Sequence, residues 1–449
     1  MSATDLLSAE TTMNRYASIV LILSCMLATV AQARPPVQVK SAVDRLENTG
    51  SLGEYMVLPY AFAAESTDTV LGVGGMRKGF YQDQMLVGGT AFAGEESWGA
   101  FAGVWDYNTP WSDRLFVSVT GMLGYYPQHR AYTWPRELDL PPDVIRPGAN
   151  DSSEDLFLES SGDSNWWEMR FDYVLPTGKG RDSAIAHYEL EGGLLVSEGS
   201  GGPRWNPLEH GVTVATLRQY NRYQSFEYER AGDLDGTIHA FELGLLHDNT
   251  DFPINPSQGS WQYVALHHDP AWLDSEDQWT FVEAEAAKYV PLGEDRFARQ
   301  RVLALNAWTG YSPSWRETTN DIGGVRIEDA PPYLEGASLG GFYRMRGYRD
   351  ARFHDKASIY ASAELRYTLR YNPVKDLDWL RFLRLDWFQL VGFVEGGSVA
   401  PDYDSELLED WHSDVGLGLR AMTGGIVVRF DVGWSDEGSN AWVMVGHPF

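Results

Sequence analysis

The 449-residue chain has almost no cysteine and little positive charge. Its one cysteine, Cys25, lies in an N-terminal apolar run, so disulfide bonds do not stabilise the rest of the chain. Beyond this run, no apolar stretch reaches the roughly 18 residues that a transmembrane helix needs. Lys and Arg number 35 against 63 Asp and Glu, and the net charge of −28 argues against a nucleic-acid partner.

The N-terminal apolar run has the pattern of a secretory signal peptide. Arg15 precedes YASIVLILSCMLATVAQA, a short apolar core that ends in an A-x-A site. This pattern favours a signal peptide over residues 1–33 rather than a membrane anchor. Lipid attachment at Cys25 is a weaker alternative, because the residues before it lack the usual spacing. We predict export, followed by a short periplasmic segment at residues 34–53.

Alternation with a period of two residues fills most of the remaining chain. In GIVVRFDVGWS, apolar Val428, Phe430 and Val432 alternate with Arg429 and Asp431. This period is that of β-strands, whose successive side chains point to opposite faces. Trp and Tyr are abundant, at 17 and 23, and Gly reaches 45, as is typical of strands with aromatic girdles.

The alternating runs predict an all-β fold: an antiparallel transmembrane barrel of about sixteen strands over residues 54–449. The predicted strands are 54–64, 69–78, 84–94, 97–107, 113–125, 165–176, 184–196, 237–248, 259–269, 277–290, 297–310, 358–371, 386–398, 411–423, 425–435 and 441–449. Residues 211–229 also alternate and are interpreted as a raised hairpin in a loop. Short turns are expected at one end, and the long connections, near 126–164, 197–236, 311–357 and 399–410, are all expected at the other.

A secreted β-sandwich is the alternative, since its strands alternate as well. Here several polar faces carry both signs of charge at successive inward positions, which suits a salt-bridged aqueous lumen. Lipid tolerates no unpaired backbone, so strands in a membrane must close into a barrel. The export signal, the absence of long apolar helices and these charges together favour an integral outer-membrane protein.

Four segments carry a family resemblance. GGFYRMRGYRD, in the long connection 311–357, contains Met345-Arg346-Gly347-Tyr348. FVEGG contains Glu395, VVRFDVG contains Asp431, and the chain ends in Phe449. Upstream lies GLLHDNTDFPINPSQG, whose candidate motif residues are Asp248, Asp251, Pro256 and Gly259.

Together these segments resemble the outer-membrane protein assembly factor (bacterial surface antigen) superfamily. The resemblance implies that a V-R-G-F/Y tip on the sixth outer loop folds back into the lumen, with Met345 here in place of the β-branched residue. Glu395 stands where the family usually has Asp, and the hairpin motif lacks its arginine. Phe449 corresponds to a C-terminal assembly signal. Members insert or translocate polypeptides and normally carry periplasmic polypeptide-transport-associated (POTRA) domains, which this chain is expected to lack.

Physical chemistry supports the implied docking of the loop tip. Arg346 can form a charge-assisted bond with a carboxylate of the lumen, and the alternation points Glu395 and Asp431 inward. Gly347 allows close approach to the wall, and Tyr348 can pack against it. The alternative is a solvated loop arginine.

Function is predicted at the seam where the first and last strands meet. Pro59 in the first strand and Pro448 near the end pair poorly in a ladder, although both could instead lie at bulges or strand ends. Expected partners are outer-membrane lipid and either nascent membrane proteins or a separate periplasmic protein. The alternative is a plugged pore, a receptor or an adhesin with acidic outer loops.

No enzyme, cofactor or metal site is predicted. The chain has no G-x-S-x-G or H-E-x-x-H motif. The acidic stretch 137–168 could gather Ca²⁺, but it lacks regular ligand spacing, which favours a solvated loop.

Overall fold

Sixteen strands form one antiparallel sheet and follow one another in it in chain order. The computed structural model describes residues 37–46, 55–64, 66–135, 138–227, 236–374, 377 and 383–449. The predicted signal peptide, residues 1–33, lies outside the described residues. Within them, no helix combines the length and the apolar character that crossing a membrane requires.

The described strands, in chain order, are β1 (Ser41–Arg45), β2 (Tyr55–Ala64), β3 (Thr67–Lys78), β4 (Leu86–Ala93), β5 (Trp98–Asn108), β6 (Leu115–Ala131), β7 (Leu158–Val174), β8 (Ala186–Glu191), β9 (Leu194–Leu195), β10 (Val212–Gln224), β11 (Gly236–Asp248), β12 (Gly259–Pro270), β13 (Gln278–Gly293), β14 (Ala298–Tyr311), β15 (Arg316–Thr319), β16 (Val325–Glu328), β17 (Ala337–Leu339), β18 (Phe353–Asp355), β19 (Ala357–Leu369), β20 (Leu385–Ala400), β21 (His412–Thr423), β22 (Ile426–Ser435) and β23 (Gly438–Val445). The 16-stranded sheet contains β2–β7, β10–β14 and β19–β23, and short 3₁₀ helices occupy Gly178–Arg181 and Ser405–Leu408.

The two faces of the barrel strands differ as the alternation predicts. On β20, Leu390 and Val394 point outward and are exposed, while Gln389 and Glu395 point inward and are buried. Successive side chains of a strand lie on opposite faces, so one strand can face lipid and the lumen at once. The predicted all-β fold with sixteen antiparallel barrel strands is confirmed.

The prediction of a barrel strand at 184–196 is wrong, and so is that of a raised hairpin at 211–229. β10 pairs antiparallel with β7 on one side and with β11 on the other, so it is the seventh strand of the barrel. β8 lies outside the large sheet and pairs with β1 and β9. Both runs alternate, and alternation alone does not show which run has barrel strands on both sides.

This change also moves a long connection to the other end of the barrel. We call the end where β3–β4, β5–β6 and β11–β12 are joined the turn end, and the opposite end the loop end. Residues 175–211 join β7 to β10 at the turn end and are named the turn-end insertion. The expectation that long connections lie at one end only is therefore wrong.

Residues 37–46, named the N-terminal segment, lie against the interior of the barrel at the turn end. β1 pairs in parallel with β8 of the turn-end insertion. The side chain of Lys40 is fully buried, and its Nζ lies 2.7 Å from Asp172 Oδ2 on β7 and 2.6 Å from Asp106 Oδ1 on β5. These residues are the described part of the predicted periplasmic segment 34–53.

β2 and β23 stand at the two ends of the strand order. In the described part of the chain, no backbone pairing joins them. Side chains nevertheless meet across this boundary, because Ile426 of β22 packs against a cluster that contains Tyr60 of β2 and Phe92 of β4. We call the boundary between β2 and β23 the seam.

Replacing Lys40 by methionine should lower the stability of the barrel. The substitution leaves Asp172 and Asp106 without the ammonium group between them, and a buried charge that loses its partner costs roughly 3 kcal/mol or more. Lys179→Met is the matched control, because Lys179 pairs with Glu198 at 3.0 Å on the surface, with side chains 40% and 85% exposed. The temperature at which the folded band is lost in unboiled gel electrophoresis measures the effect. Equal midpoints for the two variants would contradict it.

Candidate functional site

Loop 6, residues 312–356, joins β14 to β19 and turns back into the barrel. β17 and β18 pair at its neck, with Leu339 opposite Phe353. Beyond the neck, Met345 and Tyr348 are buried in one cluster with Phe353 and with side chains of the barrel wall. The prediction that the long sixth outer loop folds into the lumen is confirmed.

Three acidic side chains surround the guanidinium of Arg346, which is completely buried. Its Nη2 lies 2.8 Å from Glu364 Oε1 and 3.1 Å from Glu395 Oε1, and its Nη1 lies 2.5 Å from Asp431 Oδ2. The guanidinium carbon lies 3.6 Å from the ring centre of Phe393. Burial alone would lower the pKa of Arg346, but the charges of Glu395, Asp431 and Glu364 raise that pKa well above its ordinary value. The guanidinium therefore stays charged inside the barrel.

Two glycines let the loop tip, Arg346–Tyr348, touch the wall. The backbone N–H of Gly347 donates to Asp414 Oδ2 at 3.1 Å, and a Cβ on Gly347 would lie 2.6 Å from Asp414 Cβ. A Cβ on Gly433 of β22 would lie 2.6 Å from the backbone nitrogen of Gly347. Neither position has room for a side chain, so close approach explains glycine on both surfaces.

Tyr348 fixes the far side of the loop tip. Its hydroxyl donates to Asp436 Oδ1 at 2.6 Å, and its ring meets Phe353 and His412 edge-on at 5.2 and 5.9 Å. Burial raises the pKa of Tyr348, and Asp436 raises it further. The phenol stays protonated and keeps its donor role.

The wall around Arg346 contains a dense set of opposite charges. Arg420 Nη2 lies 2.7 Å from Glu364 Oε1, and Arg366 Nε lies 2.8 Å from the other oxygen of that carboxylate. Arg429 Nη1 lies 2.6 Å from Asp431 Oδ2. The buried wall charges here are Glu364, Glu395, Asp414, Asp431, Arg366, Arg420 and Arg429. Four acids face three wall arginines, and Arg346 from the loop supplies a fourth positive charge.

The loop tip is also bonded to the last two barrel strands. The carbonyl oxygen of Arg346 accepts from Trp442 Nε1 at 2.8 Å. That of Gly347 accepts from Asn440 Nδ2 at 2.8 Å and from Ser435 Oγ at 3.0 Å. Trp442 and Asn440 belong to β23, so the tip is attached to one of the two strands that form the seam.

Two further arginines attach loop 6 elsewhere in the interior. Arg344 Nη2 lies 2.8 Å from Glu285 Oε2 on β13, and its guanidinium carbon lies 3.8 Å from a ring centre of Trp308. Arg352 Nη2 lies 2.8 Å from Glu437 Oε1, in the connection between β22 and β23. Loop 6 is thus also attached to β13 and to the connection between β22 and β23.

The predicted hairpin motif forms the turn between β11 and β12. Asp248 Oδ1 accepts the backbone N–H two residues further on at 2.8 Å, and Asp251 Oδ1 accepts the N–H of Ser257 at 2.9 Å. Pro256 is buried in this turn. Gly259 has a φ of +100°, and a Cβ there would lie 2.2 Å from a backbone oxygen. These residues shape a turn and do not contact the loop tip.

Phe449 lies inside the barrel at the turn end. Its side chain is buried and stacks with Tyr289 at 6.5 Å between ring centres. Its carbonyl oxygen accepts from Arg366 Nη2 at 3.2 Å. Since Arg366 also binds Glu364, the C-terminal residue adjoins the charge network that holds Arg346.

Five of the buried wall charges were not among the predicted site residues: Glu364, Asp414, Arg366, Arg420 and Arg429. Lys40, which belongs to a second group of buried charges with Asp106 and Asp172, was not predicted either. Glu364 is a direct partner of Arg346, and Asp414 accepts the N–H of Gly347. Both occupy inward positions of runs whose alternation is visible, so the signal was present. Lys40 was missed because nothing in its neighbourhood indicates that the N-terminal segment lies inside the barrel.

No group of three or more His, Cys, Asp or Glu side chains is placed to hold a metal ion in the described ranges. The acids near Arg346 are interleaved with arginines and contribute charge neutralisation.

The fold and the site define an integral outer-membrane β-barrel whose interior holds an inward-folded outer loop. Residues 205–441 match the Omp85 superfamily domain, which is more than half of the chain. The chain belongs to the Omp85 superfamily. No curated protein sequence matches it.

Three solved structures are similar to this chain at low identity, and the first of them shows the same fold. CdiB from Escherichia coli is 14% identical with a TM-score of 0.52, over 87% of this chain and 61% of that one. BamA from Haemophilus ducreyi lacking POTRA domains 1–3 is 11% identical with a TM-score of 0.45, over 96% of this chain and 77% of that one. CdiB from Acinetobacter baumannii is 10% identical with a TM-score of 0.44, over 87% and 58%. The chain spans about three-fifths of either CdiB protein.

Replacing Arg346 by methionine should destabilise the barrel strongly. Methionine keeps much of the side-chain volume but leaves Glu364, Glu395 and Asp431 with one positive charge too few, a loss of about 3–5 kcal/mol for a buried ionic group. We expect a lower unfolding midpoint and faster protease cleavage within loop 6.

Arg316→Met is the control in the same loop. Arg316 is 64% exposed and pairs with Asp329 near the surface, where ion pairs contribute little. Its midpoint and cleavage rate should match those of the wild type. An Arg346→Met variant that behaves like this control would show that the buried ion pairs do not hold loop 6.

Proposed function

We propose that this barrel acts on membrane proteins or lipids of the outer membrane at the seam between β2 and β23. Membership of the Omp85 superfamily supports a role in inserting or translocating polypeptides. The observation that carries the proposal is the strand order: β2 and β23 share no backbone pairing in the described residues, whereas neighbours elsewhere in the order do. Unpaired strand edges are ready templates for another strand.

The residues at the seam favour weak pairing. Pro59 lies in the middle of β2, opposite Val73 of β3, and has no N–H to donate. Proline within sheets is confined to edges and bulges, which suits β2 as an edge strand. On the other side, Gly446 follows β23 directly with a φ of +83°, so the strand conformation ends there.

Loop 6 couples the lumen to the seam. The loop tip accepts three hydrogen bonds from β22 and β23, while Arg346 holds it to acids on β19, β20 and β22. A displacement of β23 from its present position must break bonds to the tip. We propose that the docked tip keeps the β23 side of the seam in place until a substrate engages.

The proposed partners follow from the location. Outer-membrane lipid surrounds the exposed outward side chains, and nascent membrane proteins or a separate periplasmic protein would reach the seam from the turn end. We propose export by the signal peptide at 1–33 and a role without catalysis. The net charge of −28 speaks against nucleic acid.

Site-specific photocrosslinking in cells tests the function. A photoreactive amino acid at Val57 of β2 or Ala441 of β23 should capture newly made membrane proteins, because both side chains lie outward on the two seam strands. The control position is Val264 in the middle of β12, which is 51% exposed outward but far from the seam in the strand order. It should capture lipid and no client protein.

The outcomes separate the hypotheses. Client proteins at the seam and none at Val264 support insertion. Crosslinks to lipid alone at all three positions would indicate that the protein acts on lipid and does not insert proteins. Equal capture of client proteins at Val264 would show that the seam has no special role.

Conductance in planar bilayers tests the alternative of a pore. The wild-type barrel should conduct little, because loop 6 and the N-terminal segment occupy the interior from opposite ends. The Arg346→Met variant should show flickering openings as loop 6 is released, and Arg316→Met should not. A steady high conductance of the wild type would favour the pore and contradict the proposal.

A further inference from the structure

In the middle of the first five barrel strands, β2–β6, uncharged and mostly apolar or small side chains occupy the luminal face as well as the outside, whereas the charged Lys78 and Asp106 follow at the turn end. The luminal side is identified by burial: Tyr60, Phe92 and Phe101 are buried, whereas the outward Val73 and Leu123 are more than half exposed. Three successive cross-strand rows on the luminal face are Tyr60–Gly72–Phe92–Gly99–Gly124, Gly74–Thr90–Phe101–Met122 and Met76–Gly88–Gly103–Thr120. None of these residues is charged. We call this surface the apolar wall.

The apolar wall ends abruptly at β7. Thr120 of β6 pairs with Glu168 of β7, and the inward positions that follow along β7 are Arg170 and Asp172. Further around the barrel, the inward positions include Glu242 and Arg366. A barrel lumen is ordinarily polar throughout, so three successive uncharged rows beside the seam call for an explanation.

Glycines keep the apolar wall thin. A Cβ on Gly72 would lie 2.3 Å from the ring of Tyr60, and one on Gly99 would lie 2.4 Å from the ring of Phe92. One on Gly103 would lie 2.5 Å from the ring of a neighbouring tryptophan. The rings of Tyr60 and Phe92 therefore lie over glycines of the next strand, and that of Trp105 lies over a glycine of its own strand.

A cavity of about 260 Å³ lies beside this wall at the turn end. Met76, Leu86 and Trp105 line it from the apolar wall, and Val39 lines it from the N-terminal segment. The remaining side includes residues near the seam, among them Ile426 and Val445. A single water needs only about 10–15 Å³, so the cavity admits a much larger guest. Most of its lining is apolar, but Lys78, Asp248 and His447 also border it. So do Lys40, Asp106 and Arg170, which are held in ion pairs: Lys40 with Asp106 and Asp172, and Arg170 with Asp172.

We infer that this cavity binds a hydrocarbon chain of a membrane lipid, with its entrance at the seam. A hydrocarbon chain has no hydrogen-bonding groups and gains from contact with apolar side chains. A polypeptide segment fits less well, because its backbone N–H and C=O groups would face strand surfaces whose own backbone groups are already paired. The lipid outside is separated from the cavity only by the seam strands. The inference rests on the proposed function in one respect, since the seam serves as the entrance.

Quenching by brominated lipid tests the inference in the full-length barrel. The chain's one cysteine, Cys25, is replaced by serine, and a single cysteine carrying a bimane fluorophore is introduced by Leu86→Cys or Met76→Cys. The proteins are reconstituted in phosphatidylcholine vesicles with or without bromine on the acyl chains. Both labels should lose fluorescence in the brominated vesicles.

Two control positions set the scale for the loss of fluorescence. Val87→Cys places the label outward on the same strand, in contact with the bilayer, and sets the full effect. Gln300→Cys places it inward at the turn end of β14, in the polar half of the lumen, where Gln300 accepts a hydrogen bond from Asn255. The label at 86 or 76 should be quenched nearly as much as at 87 and much more than at 300.

Quenching at 86 and 76 no greater than at 300 would overturn the acyl-chain site. That result would leave the proposed function standing if client proteins still crosslink at Val57 and Ala441. Conversely, strong quenching at 86 without client crosslinks at Val57 and Ala441 would support the lipid site and contradict the proposed role in insertion. The two failures are therefore distinguishable.

Discussion

The ion pairs of Arg346 fix the interior of this barrel. A guanidinium with no exposed surface is tolerated only where carboxylates replace the water that it loses, and Glu364, Glu395 and Asp431 do so from three different strands. Withdrawal of Arg346 would leave these three buried carboxylates without one of their partners, so the ion pairs favour the docked position of loop 6. The glycines at 347 and 433 leave room for the close approach that this position requires.

The same contacts link loop 6 to the edge of the sheet. The carbonyl oxygens of Arg346 and Gly347 accept hydrogen bonds from Ser435, Asn440 and Trp442. The loop tip therefore joins the acidic side chains of the wall to β23. A change that withdraws the loop tip removes ion pairs from the wall and hydrogen bonds from the last strand together. The wall acids and the last strand are coupled through the loop tip, because the tip contacts both directly.

Much of this architecture could be predicted from the sequence, because alternation is a local property. The inward direction of Glu395 and Asp431 follows from their own strands, and the family resemblance added the loop that meets them. Strand neighbours are not local, and there the prediction failed. The runs at 184–196 and 212–224 both alternate: Tyr188 and Leu190 of the first are buried against the turn-end insertion and the barrel interior, whereas the second lies between two barrel strands.

Lys40 was unpredictable for a related reason. A lone lysine in a segment near the N-terminus has no sequence neighbour that identifies its partners, which lie 66 and 132 residues further along the chain. The ion pair exists only because β1 adds to β8 in parallel, and β8 is itself in an insertion that alternation misassigned. Because residues 184–196 were assigned to the barrel, this second group of buried charges was not predicted.

The two sides of the seam differ in what holds them. β23 is bonded to the loop tip, and its neighbours β19–β22 carry the charge network, so that side is fixed by directional contacts. β2 begins a sector whose three middle luminal rows contain glycine, apolar side chains and threonine, with charged side chains only nearer the turn end. Apolar contacts are non-directional and tolerate sliding better than ion pairs do. If the seam opens, the asymmetry predicts that β2 and the apolar wall move while β23 stays with loop 6, which would bring the uncharged middle rows of the luminal face to the membrane.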